Sequence, residues 1–131
     1  RVLFRSFFGI LKLLRNAENA KAFDEFKLSA RKALEMGTIN GAKALGLDDK
    51  IGSLVPGKRA DLIMVRTDRV SMGVFTDPTH MLVEAAEEAD IDTVVVDGRI
   101  LKRAGKLTAI SPDQVISDAA ATLEAVGKRL S

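Results

Sequence analysis

The stretch IGSLVPGKRADLIMV, residues 51–65, decides the fold of this 131-residue chain. Residues 51–54 and 60–65 are apolar enough to predict two short strands. Between them stands Pro56-Gly57, which is typical of the centre of a type II turn, because Pro presets a negative φ and Gly accepts the positive φ that follows. We therefore predict a strand, a turn and a second strand.

A second hairpin is predicted further along the chain. Residues 93–96 (TVVV) and 99–101 (RIL) flank the pair Asp97-Gly98. This pair suits a two-residue type I′ turn, whose central residues both need a positive φ. The two patterns together predict a small β region.

Helical patterns precede this β region. Residues 7–16 are apolar on nearly every side, so we expect a helix buried on most sides. Residues 18–27 predict a second short helix with Phe23 and Phe26 in the core. Ser29 and Thr38 are expected to cap two further helices. The apolar positions of those two helices are Ala30, Ala33, Leu34, Ile39, Ala42 and Leu45.

Two more helices are expected after the first hairpin. Asp77-Pro78 predicts a helix start, with Glu84 on its solvated face. Ser111 and Gln114 are spaced as a capping box for the last helix. Its apolar stripe comprises Val115 or Ile116, Ala119, Leu123, Val126 and Leu130.

Composition excludes several classes of function. The chain has no Cys and a single His, His80, so it offers neither thiolate chemistry nor a multi-histidine metal site of its own. A net charge of +2 and the absence of Tyr and Trp argue against a nucleic-acid partner. No apolar run is long enough for a membrane span, so we expect no membrane partner and a cytoplasmic protein.

One motif resembles a nucleotide-binding loop. Residues 52–58 match G-x-x-x-x-G-K, but Arg59 stands where a phosphate-binding loop needs Ser or Thr. Pro56 also removes a backbone donor, and a strand pattern follows instead of a helix. A turn between strands is the better interpretation.

No catalytic, cofactor-binding or metal-binding residue is predicted. His80 has no carboxylate or second His at helical spacing, so a structural or surface role is favoured. The acidic pairs at 24–25, 48–49 and 87–88 are interpreted as solvated, because adjacent acids on a helix point in different directions. No Ser, His and Asp set for nucleophilic catalysis is evident.

The first six residues, RVLFRS, resemble the translation of a common sequencing adapter. We expect residues 1–6 to be an artefact on a truncated gene. The alternative is that they begin the first helix.

Two stretches together resemble the C-terminal region of metal-dependent amidohydrolases. The first contains residues 28–47 and the Pro-Gly-Lys-x-Ala-Asp element at 56–61; the second is residues 92–99 with Gly105-Lys106-Leu107. The insert at 76–89 is most similar to the branch of cytosine and adenosine deaminases and triazine hydrolases.

This resemblance implies an α+β fragment of a larger fold. Residues 7–46 would be the last helices of a TIM-type (β/α)8 barrel, and 47–110 the C-terminal half of a composite β-sandwich with a helical insert at about 77–89. The resemblance covers about residues 7–110, and beyond it the sequence pattern itself predicts a C-terminal amphipathic helix at 111–131. The partners would be the N-terminal barrel and sandwich strands of the same chain.

The resemblance also implies a function for the intact parent, which would be an enzyme. It would deaminate a small N-heterocycle, using water activated by Zn or Fe, and would be a homo-oligomer. The family's metal ligands are a His-x-His pair, two further His and an Asp; His80 matches none of them, so the fragment alone is expected to be inactive. The alternative is a self-contained binding or interaction module without catalysis.

Overall fold

The computed structural model describes residues 7–74 and 76–130. The suspected artefact at 1–6 lies outside the described residues. The helices are α1 (Phe7–Ala22), α2 (Ala30–Met36), α3 (Ile39–Ala44), α4 (Pro78–Glu84) and α5 (Pro112–Leu130). The strands are β1 (Leu62–Val65), β2 (Ile91–Val96), β3 (Arg99–Arg103) and β4 (Lys106–Leu107). Short 3-10 turns span Val70–Met72 and Glu88–Asp90.

The four strands form one antiparallel sheet in the order β1-β2-β3-β4. The predicted type I′ turn between β2 and β3 is present, with φ of 51° at Asp97 and 76° at Gly98. The β1–β2 register places Leu62 opposite Val95. The chain is therefore an α+β structure with a small sheet, as predicted.

The helices pack through two small clusters of buried side chains. In the first, Leu11 of α1 meets Ala30 and Ala33 of α2 and Val83 of α4. In the second cluster, Phe8, Met72 and Ala86 are buried against residues that include Val65 and Ile91 of the sheet. The small alanine side chains let three helices approach closely, and Phe8 links this helical layer to the sheet.

The prediction of a strand over residues 51–54 is wrong. Gly52 has a φ of +86°, and a Cβ there would lie 2.7 Å from the Cβ of Ala42. The segment therefore bends closely over α3 instead of extending. The predicted type II turn is present: Gly57 has a φ of +91°, and the Lys58 N–H donates to the Val55 carbonyl at 3.3 Å.

The prediction of a second helix over 18–27 is also wrong. Helix α1 continues to Ala22, and the side-chain amide of Asn19 then binds the following loop. Its Nδ2 donates to the Glu25 carbonyl at 2.7 Å, and its Oδ1 accepts from the Leu28 N–H at 2.7 Å. Phe23 and Phe26, expected in the core, are 98% and 79% exposed as a result.

Helix α1 is less buried than its composition predicted. Phe8 and Leu11 are buried, whereas Phe7, Ile10 and Leu13 are all more than 40% exposed. One side of the helix fills the core, and the other apolar side is only partly covered by the described residues.

The predicted caps are largely confirmed. Ser29 Oγ accepts from the Lys32 N–H at 3.2 Å, and Asp77 accepts from the Thr79 N–H at 2.9 Å. Thr38 precedes α3, but its hydroxyl donates back to the Leu34 carbonyl. Helix α4 ends at Glu84, well before residue 89, and its buried side chain is Val83.

The last helix, α5, is present over the predicted residues, and every side chain described on it is exposed. Ser111 Oγ accepts from the Gln114 N–H at 3.4 Å, and the Gln114 side chain donates to Asp118. Among the described helices, none combines the length and apolar character needed to cross a bilayer.

Candidate functional site

The loop that resembles a nucleotide-binding motif is a structural turn. The Lys58 ammonium donates to the Ser53 hydroxyl at 2.8 Å and to the Ile51 carbonyl at 3.2 Å. The segment leads into β1 and not into a helix. A phosphate would find neither a free lysine nor a helix N-terminus here.

His80 lies in α4 and is partly buried. It lines a shallow cleft with Arg15, Asn19, Glu25 and Glu84. Within residues 7–74 and 76–130, no group of three or more His, Cys, Asp or Glu side chains is arranged to hold a metal ion. The described residues therefore do not fit the role of metal ligands.

An ion pair that was not predicted joins α1 to α4. Arg15 Nη1 lies 2.6 Å from Glu84 Oε1, and the two side chains are only 15% and 20% exposed. Arg15 also donates through Nε to the Leu28 carbonyl, and Lys12 donates to the Glu84 carbonyl at 2.8 Å. The prediction of a solvated Glu84 is wrong, because its partner comes from 69 residues earlier in the chain.

A buried carboxylate, also not predicted, fixes the connection between β1 and β2. Asp90 is 1% exposed and pairs with Arg69 at 3.0 Å. Its second oxygen accepts from the Glu87 N–H at 2.9 Å, and its carbonyl accepts from the Arg66 N–H at 2.8 Å. Asp90 thus bonds one side chain, that of Arg69, and two backbone N–H groups, those of Arg66 and Glu87.

The aspartate of the Pro-Gly-Lys-x-Ala-Asp element holds the β2–β3 turn. Asp61 Oδ1 accepts from the Asp97 N–H at 2.6 Å, and the Ala60 carbonyl accepts from the Gly98 N–H at 3.1 Å. The motif therefore binds a turn whose first central residue, Asp97, lies 36 residues after Asp61. Its role is to set the sheet's geometry.

An apolar groove lies between the helices and the sheet, and it is here called the sheet groove. Its volume is about 690 Å³, and its lining includes the exposed side chains of Phe7, Leu45, Leu54, Ile63 and Val96. Strand β1, which contributes Ile63, lies at one edge of the described sheet. An open groove beside an apolar edge strand is a surface suited to binding more protein.

Comparisons with the sequences of known proteins find a matching family and several relatives. The model of the amidohydrolase family matches residues 6–101. A 5-methylthioadenosine/S-adenosylhomocysteine deaminase of Moorella thermoacetica is 40% identical over 92 residues, which is 70% of this chain and 22% of that protein. A 5'-deoxyadenosine deaminase of Methanosarcina barkeri is 33% identical over 124 residues, which is 95% of this chain and 28% of that protein.

Comparisons with solved structures find similar folds in two hydrolytic enzymes. An adenosine deaminase from Xanthomonas campestris with bound zinc superposes with a TM-score of 0.84 at 25% identity, covering 92% of this chain and 28% of that one. The zinc complex of atrazine chlorohydrolase from Arthrobacter aurescens TC1 gives 0.78 at 28% identity, covering 87% and 25%. The chain thus spans about a quarter of the length of the proteins it matches, and it belongs to the amidohydrolase family.

Proposed function

We propose that this chain works as the C-terminal region of a metal-dependent hydrolase that deaminates an adenosine-like N-heterocycle. The names of the Moorella and Methanosarcina relatives support the substrate class, and the two zinc-containing structures support the metal. The metal and its ligands would come from the part of the enzyme that precedes the region matched here. Iron remains the alternative metal.

The sheet groove is the observation that carries this proposal. Its exposed apolar side chains lie beside the outer edge of β1, and burying apolar surface is worth about 25 cal/mol per Å². In the proposed enzyme, β1 and the groove are covered by N-terminal sandwich strands, and residues 7–46 pack as terminal helices of a (β/α)8 barrel. The chain would then support the barrel without touching the reacting atoms.

The remaining parts of the proposal rest on the resemblance alone. The whole enzyme would be a cytoplasmic homo-oligomer acting on a small molecule, with neither nucleic acid nor a membrane as a partner.

A chimera tests this function. Residues 7–131 of this chain replace the matching segment of the Methanosarcina deaminase, which aligns over 95% of the chain. We expect the chimera to bind zinc stoichiometrically and to release ammonia from 5'-deoxyadenosine. A folded chimera that has neither property would contradict the proposal.

Assays on the purified chain distinguish the proposed function from the alternative, a self-contained binding module. The proposal predicts that the purified 131-residue chain has no deaminase activity, binds no stoichiometric zinc and strongly enhances the fluorescence of an apolar dye. Absence of dye binding would favour the binding module, because a self-contained fold covers its own apolar side chains. Activity or bound zinc in the isolated chain would also contradict the proposal.

A further inference from the structure

Helix α5 is the largest element without packing partners in the described part of the chain. It has 19 residues, and none of the side chains described on it, those of residues 112–129, belongs to either core cluster. Ile116 and Leu123 are 67% and 74% exposed. Because most helices in proteins are stabilised by packing an apolar face, α5 needs a surface to pack on.

Polar side chains on one side of α5 form hydrogen bonds within the helix. Gln114 donates to Asp118 at 2.8 Å, and Lys128 donates to Glu124 at 2.6 Å. The Thr122 hydroxyl donates to the Asp118 carbonyl. These bonds mark the side of the helix that faces water.

The apolar side has the spacing of a helix-packing seam. Ile116, Ala119, Leu123 and Val126 follow one another at intervals of three, four and three residues. We call these four residues the α5 stripe. Apolar residues that alternate three and four apart form a narrow line, and such a line is typical of one helix packed along another.

The comparisons support a partner that lies within a longer enzyme. The superposition on the Xanthomonas adenosine deaminase covers 92% of this chain, and the uncovered remainder is shorter than the 19 residues of α5. The alignment with the Methanosarcina deaminase leaves out still less. Part of α5 therefore has a counterpart in proteins more than three times as long, where more protein is available to cover it.

We propose that the α5 stripe docks against a helix in the portion of the same enzyme that this chain does not contain. The occupant presents an apolar groove, since the stripe carries no charge. This inference rests on the proposed function, because it requires the longer enzyme. It adds a second contact between this chain and the part of the enzyme outside it. This contact is made by α5 and is separate from the sheet groove.

Hydrogen exchange of α5 tests the docking. We expect the α5 amides to exchange at least about tenfold more slowly in the chimera than in the isolated chain. Leu123→Glu should abolish that protection, because it places a charge in the stripe. Ala121→Glu is the matched control, since it puts the same side chain on the opposite side of the same helix and should change the rate less than about twofold.

The outcomes separate the two proposals. Unprotected α5 in an active, zinc-bound chimera overturns the docking and leaves the function in place. An α5 that is protected from exchange in an inactive chimera would overturn the proposed function and leave the docking in place. Equal effects of Leu123→Glu and Ala121→Glu on the exchange rate of the α5 amides would overturn the docking. A Leu123→Glu variant that changes only the oligomeric state would also overturn it, because a second copy would then be what covers the stripe. A chimera that cannot fold contradicts both proposals.

Discussion

Arg15 and Glu84 connect α1 to α4 through a 2.6 Å ion pair whose side chains are 15% and 20% exposed. Lys128 and Glu124 on α5 lie at the same 2.6 Å, but their side chains are 75% and 68% exposed. The chain thus contains two ion pairs of equal length and very different burial.

The first prediction compares these pairs. Glu84→Gln should lower the free energy of unfolding by about 1–3 kcal/mol, because it leaves the half-buried Arg15 without a counter-charge. Glu124→Gln should change it by less than about 0.5 kcal/mol, because water screens the exposed pair. Urea unfolding of the 131-residue chain, followed by circular dichroism, measures both. Equal effects would show that burial does not strengthen the Arg15 pair.

The second prediction concerns the aspartate of the family motif. Asp61→Ala removes the acceptor for the Asp97 N–H and should destabilise the chain by about 1–2 kcal/mol. Asp68→Ala serves as the control, because Asp68 pairs only locally with the exposed Arg66. We expect faster hydrogen exchange in β2 and β3 for the Asp61 variant alone. Unchanged exchange there would exclude a role for Asp61 in holding the turn.

The third prediction separates two glycines that share a positive φ. Gly52→Ala should destabilise the chain by about 2–4 kcal/mol, since the new Cβ meets Ala42 at 2.7 Å and the backbone is strained. Gly57→Ala should cost only about 1 kcal/mol, because nothing lies within 4 Å of its Cβ. Thermal unfolding of the two variants measures the difference. ATP should not shift either midpoint, and a shift would revive the nucleotide-binding interpretation of this loop.

The fourth prediction is a pH dependence at the start of α4. The Thr79 hydroxyl, and then the Thr79 backbone N–H, donate to Asp77 and hold the pKa of its carboxyl below the ordinary 3.8. Since the folded pKa is lowered, this contribution to stability is complete above pH 3.8 and is lost as the pH falls through the folded value. NMR titration should show the Thr79 amide changing below pH 3.8. Thr79→Val should raise the pKa of Asp77 toward its ordinary value, and an unchanged titration would refute the assignment.

Local signals in the sequence were sufficient where a few neighbouring residues determine the geometry. Asp97-Gly98 fixed the β2–β3 turn, and Ser29 and Asp77 marked two helix starts, because each acts within three residues of its own position. Helix α5 was also predictable, from its cap and its apolar periodicity.

Distant contacts were not predictable from periodicity. Glu84 lies on a helix face that would be solvated in isolation, and only the packing of α1 brings Arg15 to it. Phe23 and Phe26 continued the helical spacing, yet the amide of Asn19 binds the loop backbone and ends the helix before them. Gly52 lies in an apolar run, but its contact with Ala42 requires a bend.

The bonds of Asp90 have a consequence for how this architecture can vary. The residue bonds to Arg66 and Arg69 at the start of the β1–β2 connection and to Glu87 at its end, so it joins the two ends directly. Between them, Met72 and Val83 are buried in the core. Extra residues introduced between Gly73 and Val74, which are both exposed, can therefore extend into solvent while Asp90 keeps the ends of β1 and β2 together. This connection is therefore a place where a protein engineer can insert a reporter peptide.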